Sequence, residues 1–156
     1  MTEISFELDG EQVTTNVDPK TPLREVLRDE FGKKGVKSSC DSGRCGVCTV
    51  HLDGDAVKSC LVLAPKADGR TVTTIEGLAG ETDDLHDVQQ AFLDKFATQC
   101  GYCIPGMIMT AVDYLEDGEY SGERAEIESA LKGNVCRCTG YEKIVDAVEE
   151  VANSRS

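Results

Sequence analysis

Tryptophan is absent from this chain of 156 residues, aromatic residues make up only 5% of it, and there are two histidines. With so few large rings, two small domains would have modest cores and would need staples of another kind. Asp, Glu and His show no spacing that marks an acid–base pair. His51 lies in a strand-like stretch and reads as a packing or surface residue; His86 sits at a helix start and reads as a local hydrogen-bonding group. No stretch approaches the ~20 apolar residues needed to span a bilayer. Met1 to Ser5 has neither the basic nor the apolar region of a secretion signal, so a cytoplasmic protein is expected. Basic residues are scarce as well: 16 Lys and Arg stand against 29 Asp and Glu, a formal net charge of −13. Nucleic acid and anionic membranes both require a basic footprint, and this balance argues against either as a partner. The acidity is spread along the chain, with concentrations at Glu81 to Asp84 and Glu116 to Glu119. Solubility or adaptation to salt accounts for it; docking to a basic partner is the functional alternative.

Cysteine and glycine, in contrast, are plentiful. Without a secretion signal, eight cysteines in short-spaced pairs point to metal ligands rather than disulfides. Cys40, Cys45 and Cys48 follow a C-x4-C-x2-C pattern, and Cys60 comes after a gap of eleven residues. This is the spacing of a plant-type [2Fe–2S] site. A binuclear cluster with four thiolates is anionic and needs backbone N–H donors aimed at its sulfurs; Gly43 and Gly46 allow the loop to curl that way. Arg44 either offsets this charge or is simply solvated. Zinc sites favour C-x2-C pairs, which the four-residue gap and flanking glycines fit poorly. The second set is Cys100-x2-Cys103 and Cys136-x-Cys138. Both pairs precede apolar helical patterns, and helix N-termini favour an anionic group. By spacing alone, zinc stays a contender for this set.

Alternating Ile4, Phe6 and Leu8 predict a strand. Asp9-Gly10 predicts a hairpin turn into a return strand over 12–17. Thr21 reads as an N-cap with Pro22 in the first turn, followed by a helix whose apolar face is Leu23, Val26, Leu27 and Phe31 and which Gly32 stops. A second hairpin turns at Asp53-Gly54, and Thr71 to Ile75 is a last strand. One sheet with a helix packed across it, a β-grasp arrangement, is expected for residues 1–76. Residues 77–84, small and acidic, read as a linker. In 85–156 the period becomes helical: Leu85, Val88, Phe92 and Phe96; then Ile104, Ile108, Ala111, Val112 and Leu115; then Ile127, Ala130 and Leu131; then Tyr141, Ile144, Val145, Val148 and Val151. Met107 and Met109 are read as core or interface packing. The fold class is therefore α+β: a β-grasp, plant-type ferredoxin-like domain followed by a four-helix domain of two helix-loop-helix pairs related by rough two-fold symmetry.

The order of the two sets, with Gln99-Cys100-Gly101-Tyr102-Cys103-Ile104-Pro105-Gly106 and Gly133-Asn134-Val135-Cys136-Arg137-Cys138-Thr139-Gly140-Tyr141, resembles the iron–sulfur part of the molybdenum hydroxylases, the family of xanthine dehydrogenase, aldehyde oxidoreductase and carbon monoxide dehydrogenase. The resemblance runs from about Ile4 to Val151. It implies two [2Fe–2S] clusters, one held by Cys40, Cys45, Cys48 and Cys60 and facing a flavin, the other held by Cys100, Cys103, Cys136 and Cys138 and facing a molybdenum–pterin. It also implies that Gln99 hydrogen-bonds the pterin, with Cys138 close by; in the bland reading Gln99 caps a loop. The chain carries neither a flavin nor a molybdenum domain, so the resemblance implies an electron-transfer subunit with a large molybdenum-binding partner and an FAD-binding partner, in a hetero-oligomer such as a dimer of heterotrimers. Electrons would pass one at a time from the molybdenum centre through both clusters to FAD. A free-standing two-cluster ferredoxin is the alternative, and a zinc-stabilised adaptor a third. Asp41 departs from the pattern, since many relatives carry Gly there; its charge would lower the potential of a neighbouring cluster.

Overall fold

The computed structural model describes residues 1–80 and 84–156; Glu81 to Asp83, within the expected linker 77–84, lie outside the described residues. Strands β1 (Thr2–Leu8) and β2 (Glu11–Val17) form the first hairpin, and β3 (Thr49–Leu52) and β4 (Asp55–Lys58) the second. Both turns have an Asp and a Gly at positive φ, Asp9-Gly10 and Asp53-Gly54, the backbone twist that two-residue hairpins need. Strand β5 (Thr71–Thr73) joins them, giving the order β2-β1-β5-β3-β4 with β1 and β5 parallel and the other neighbours antiparallel. Helix α1 is α-helical over Leu23–Glu25 and π-helical over Val26–Glu30. It lays Leu23, Val26 and Leu27 on a core shared with Ile4, Phe6 and Leu8 of β1, Val50 and Leu52 of β3, and Val72 of β5. Phe31 meets Phe6 edge-on.

Thr21 does not cap α1. Its carbonyl accepts from the amide of Ala64, and Pro22 is extended and pairs with Leu63. A strand-like bridge has taken the place of the cap.

The helical half holds α2 (Asp87–Asp94), α3 (Ile104–Glu116), α4 (Arg124–Ala130) and α5 (Glu142–Arg155). Its core takes Val88 and Phe92 from α2, Met107, Ile108 and Val112 from α3, Ile127 from α4, and Ile144, Val145 and Val148 from α5. His86 caps α2 through a reciprocal bond pair with Val88 and Gln89. The expected stripe of α2 fails at both ends. Leu85 is half exposed and Phe96 is 84% exposed. The chain leaves the helix with Phe96 at φ 55°, the amide of Ala97 bonds back to Phe92, and Ala97 is buried instead. This is a Schellman-type ending with a phenylalanine where glycine is usual. Two arginines tie the helices together: Arg124 reaches Glu142, Asp146 and Glu149 of α5, and Arg155 joins Asp87 to Glu116.

Asp9 is the polar knot of the sheet domain. Its carboxylate accepts from the amide and hydroxyl of Thr74 at 2.7 and 2.8 Å and pairs with Lys33 at 2.8 Å, and Thr74 is fully buried. Asp9→Ala would strand both Thr74 donors and is expected to cost about 1–3 kcal/mol in chemical denaturation. The bond to Asp9 raises the Lys33 pKa above 10.5. The contribution of this pair is therefore complete below that value and is lost as pH rises through the higher folded-state pKa. The gap between wild type and Asp9→Ala should narrow in strong alkali by the share of the Lys33 pair and keep the share of the Thr74 bonds.

Candidate metal centres

The first cysteine loop runs from Cys40 to Cys48 and turns through positive φ at Asp41, Gly43 and Gly46. These turns aim the amides of Ser42 and Cys45 at Cys40 Sγ, at 3.5 and 3.4 Å. The two amides hold the Cys40 thiol down at about 5, because they favour a thiolate. Cys60 is brought in from behind by Ser59, which is fully buried and whose amide and hydroxyl both donate to the Cys48 carbonyl, at 3.3 and 2.6 Å. Burial, and then the neighbouring Cys48 sulfur, push Cys60 up to about 11. Arg44 is exposed.

In the second set Cys103 and Cys136 are buried, and Cys100 and Cys138 are exposed. Cys103 stands at the N-cap of α3, and Cys138 lies just ahead of α5. The Cys136 loop is braced by two side chains. The amide and hydroxyl of Thr139 lie 3.4 and 3.1 Å from Cys136 Sγ. The Tyr141 hydroxyl accepts from the Cys136 amide at 2.9 Å and donates to the Asn134 carbonyl at 3.2 Å. Burial works against the Cys136 thiolate, but the Thr139 hydroxyl and amide, the Cys138 amide and Cys103 together outweigh it and the pKa is lowered. Cys103 is pushed up to about 12 by burial and then by contact with Cys136, and Cys138 is raised by contact with Cys100.

Sulfur meets sulfur at Cys48 and Cys60, at Cys100 and Cys138, and at Cys103 and Cys136, while the Cys45 amide meets the Cys40 sulfur. Among the described residues no three His, Cys, Asp or Glu side chains gather as they would around a single ion. A zinc ion would draw four sulfurs to one point at ~2.3 Å. Paired sulfurs instead suit a binuclear centre, in which each metal takes two. Cys60, Cys103 and Cys138 are each pushed toward the thiol by a neighbouring sulfur, so four thiolates can form together in either set only if a cationic centre replaces their protons. The donor set therefore fits [2Fe–2S].

The two sets are clamped back to back. Gly46 of the first loop lies against Gly133 and Asn134, and the Gly46 carbonyl lies against Gly106; a Cβ at Gly46 or Gly106 would overlap these atoms. The amide of Val135 donates to the Cys45 carbonyl at 2.9 Å. Around this junction the His51 ring donates to the Met109 carbonyl at 2.7 Å, the Ala56 amide donates to Asp113, the Tyr102 hydroxyl donates to the Ser38 carbonyl, and buried Asn134 donates to Thr110 at 2.7 Å. Gln99 is exposed, at the same outer end of the second set as Cys100 and Cys138. Sequence reading left His51, Asn134 and Tyr141 without a role here, although Asn134 and Tyr141 stand inside the motif. It also missed Arg24, a buried cation in contact with Asp41. Its sequence position did not set it apart, since the same helix carries Glu25, Arg28, Asp29 and Glu30.

Residues 6–79 match the family described as the 2Fe-2S iron-sulfur cluster binding domain, and 74–149 match the [2Fe-2S] binding domain. The chain is similar to the nicotinate dehydrogenase small FeS subunit of Eubacterium barkeri, 45% identical over 145 residues that cover 93% of this chain and 91% of the relative. It is also similar to the xanthine dehydrogenase iron-sulfur-binding subunit of Escherichia coli O157:H7, with 43% identity over 93% of this chain and 91% of the relative. Among solved structures it superposes on a chain of quinoline 2-oxidoreductase from Pseudomonas putida 86 with a TM-score of 0.89 and 38% identity, covering 98% of this chain and 96% of that one. No helix among the described residues is long and apolar enough to cross a membrane.

Gly106→Ala puts a methyl group into the Gly46 carbonyl and must part the two loops. Overpacking of this kind costs about 1–3 kcal/mol, and thermal denaturation is expected to show that loss together with faster release of iron to a chelator.

Proposed function

The chain belongs to the small iron–sulfur subunits of the molybdenum hydroxylases, and from that membership we propose which of its residues hold the clusters and which surfaces face its partners. Cys40, Cys45, Cys48 and Cys60 hold one [2Fe–2S] cluster; Cys100, Cys103, Cys136 and Cys138 hold the other. When bound, each cluster stores one electron at a time, with a potential tuned by hydrogen bonds and exposure. The protein's part is to keep the thiolates ionised, fix their spacing and limit water. Ser42, Cys45 and Thr139 supply N–H donors to sulfur. Val47, packed into the helical core, and Asn134 close off the space between the sets.

The observation that supports this reading best is the Cys45 carbonyl to Val135 amide bond, which links a ligand of one set to the residue before a ligand of the other. A one-electron relay needs such a fixed short connection. The outer end, with Gln99, Cys100 and Cys138, is the face proposed to meet a large molybdenum–pterin subunit, with Gln99 bonding the pterin. The Cys40–Cys48 loop is proposed to face an FAD-binding subunit, in a hetero-oligomer such as a dimer of heterotrimers in the cytoplasm. The division into 1–76 and 85–156 belongs to the same proposal. The substrates in the relatives' names differ, nicotinate in one and xanthine in another, which suits a chain that carries electrons while substrate chemistry sits elsewhere.

EPR of the dithionite-reduced protein from its native source, with iron and molybdenum quantified in the same sample, tests this. Two distinct [2Fe–2S] signals, about four irons per chain, and copurifying molybdenum and larger chains are expected. The same signals on an isolated chain without molybdenum would make it a free electron carrier, and zinc in place of iron would defeat the redox reading. Gln99→Ala should leave both signals and the iron content unchanged while slowing reduction of the clusters by substrate; an unaltered rate would remove Gln99 from the pterin contact.

A further inference from the structure

Arg24 is the one described residue with a buried side-chain nitrogen that has no partner: its Nε is enclosed, and the residue is 8% exposed. Its ion-pair partners are Glu25, at 3.1 Å from Nη2, and Asp41, against Nη1; both carboxylates are about half exposed. A buried guanidinium is expensive unless anions surround it, and two half-solvated carboxylates compensate it only in part. The position of Arg24 suggests what else does. Its backbone amide donates to the Ser59 carbonyl at 3.2 Å, and Ser59 both precedes Cys60 and bonds the Cys48 carbonyl. Its side chain holds Asp41, the residue after Cys40. One residue thus grips both ends of the first cysteine set. Asp41 has φ 51°, and that left-handed turn lets the Ser42 and Cys45 amides reach Cys40 Sγ.

We propose that Arg24 is a positioning residue and electrostatic counterweight for the first cysteine set: tethered through Asp41, its buried charge favours the reduced state of the cluster there and cancels the opposing charge of Asp41. The inference rests on the reading that Cys40, Cys45, Cys48 and Cys60 hold a [2Fe–2S] cluster. Reduction adds a negative charge to a centre that is already anionic. A cation held in a low-dielectric setting stabilises that charge, and a carboxylate opposes it. A plain structural clamp would affect folding without moving the redox equilibrium.

The test is a reductive titration of the assembled, cluster-loaded complex followed by EPR, the first centre being identified as the signal that Cys40→Ser alters. Arg24→Leu should disfavour reduction of the first centre about tenfold, which is about 59 mV for one electron, and leave the second within about twofold. Asp41→Gly, which keeps the positive-φ backbone comfortable, should shift the first centre the other way. The double variant Arg24→Leu/Asp41→Gly should return it near wild type, and Arg24→Lys should retain most of the wild-type value. An unmoved first centre in Arg24→Leu, or an equal shift of both centres, overturns the proposal. Should the leucine variant not accumulate, Asp41→Gly decides, since an unshifted first centre there overturns it equally. Wild type without a [2Fe–2S] signal from these cysteines would defeat the underlying reading and the proposal with it; a normal wild-type signal with unmoved variants defeats the proposal alone.

Discussion

Backbone meets backbone where the two cysteine loops touch, and the rest of the architecture is arranged to permit it. Gly46 sits against Gly106 on one side and against Gly133 and Asn134 on the other, with no room for a Cβ at Gly46 or Gly106. Each of these glycines is within three residues of a cysteine, so the constraint on packing is also a constraint on the metal sites. The β-grasp sheet delivers Gly46 just ahead of β3, whose residues are all buried. The helical half delivers Gly106 in the first turn of α3 and Gly133 in the turn after α4. Bonds from His51 to Met109 and from Ala56 to Asp113 then fix α3 along β3 and β4. They are made by groups with no part in cysteine chemistry, and they hold the junction in register.

Once the sulfurs are close together, their protons become the next difficulty. Cys40 and Cys136 are held toward thiolate by amides and by the Thr139 hydroxyl, whereas Cys60, Cys103 and Cys138 are pushed the other way by burial or by a neighbouring sulfur. The protein alone therefore prefers some thiolates and some thiols. Metal binding must displace the remaining protons, and its free energy becomes part of folding free energy. The cores are accordingly modest: one cluster of buried side chains under the sheet and another among the helices, with Phe6 and Phe92 the only fully buried aromatic rings among the described residues.

Much of this was legible in the sequence because the signals were local. The alternation of Ile4, Phe6 and Leu8, the two Asp-Gly turns and the spacing of the eight cysteines each depend on a few neighbouring residues. The α+β class, the two hairpins and the two candidate sites followed from them. What escaped depends on contacts between distant residues. Thr21 looks like a cap until Leu63 and Ala64 arrive to pair with the segment. Phe96 completes a helical stripe by spacing, but the chain turns left-handed at that residue and Ala97 takes the buried place. His51 is ambiguous in a strand and acquires its partner only from α3. Arg24 is one more charge in an acidic sequence until the fold closes over it beside the residue after Cys40.

The separation of the two sites is therefore a property of the folded junction and not of the connecting segment. A relay between redox centres works through a fixed distance and a continuous path, because coupling between them decays steeply with separation. A linker alone would let two ferredoxin-like modules drift. Here the Cys45 carbonyl accepts from the Val135 amide, Val47 from the first loop is packed into the helical core, and Ile75 and Leu78 lie against the same core. The two halves thus share buried surface on either side of the hydrogen-bonded contact. Relative motion would have to expose Val47 and break the bonds of His51 and Ala56 together. The cost of that coupled disruption, rather than the stiffness of any one segment, keeps the path between the sites constant.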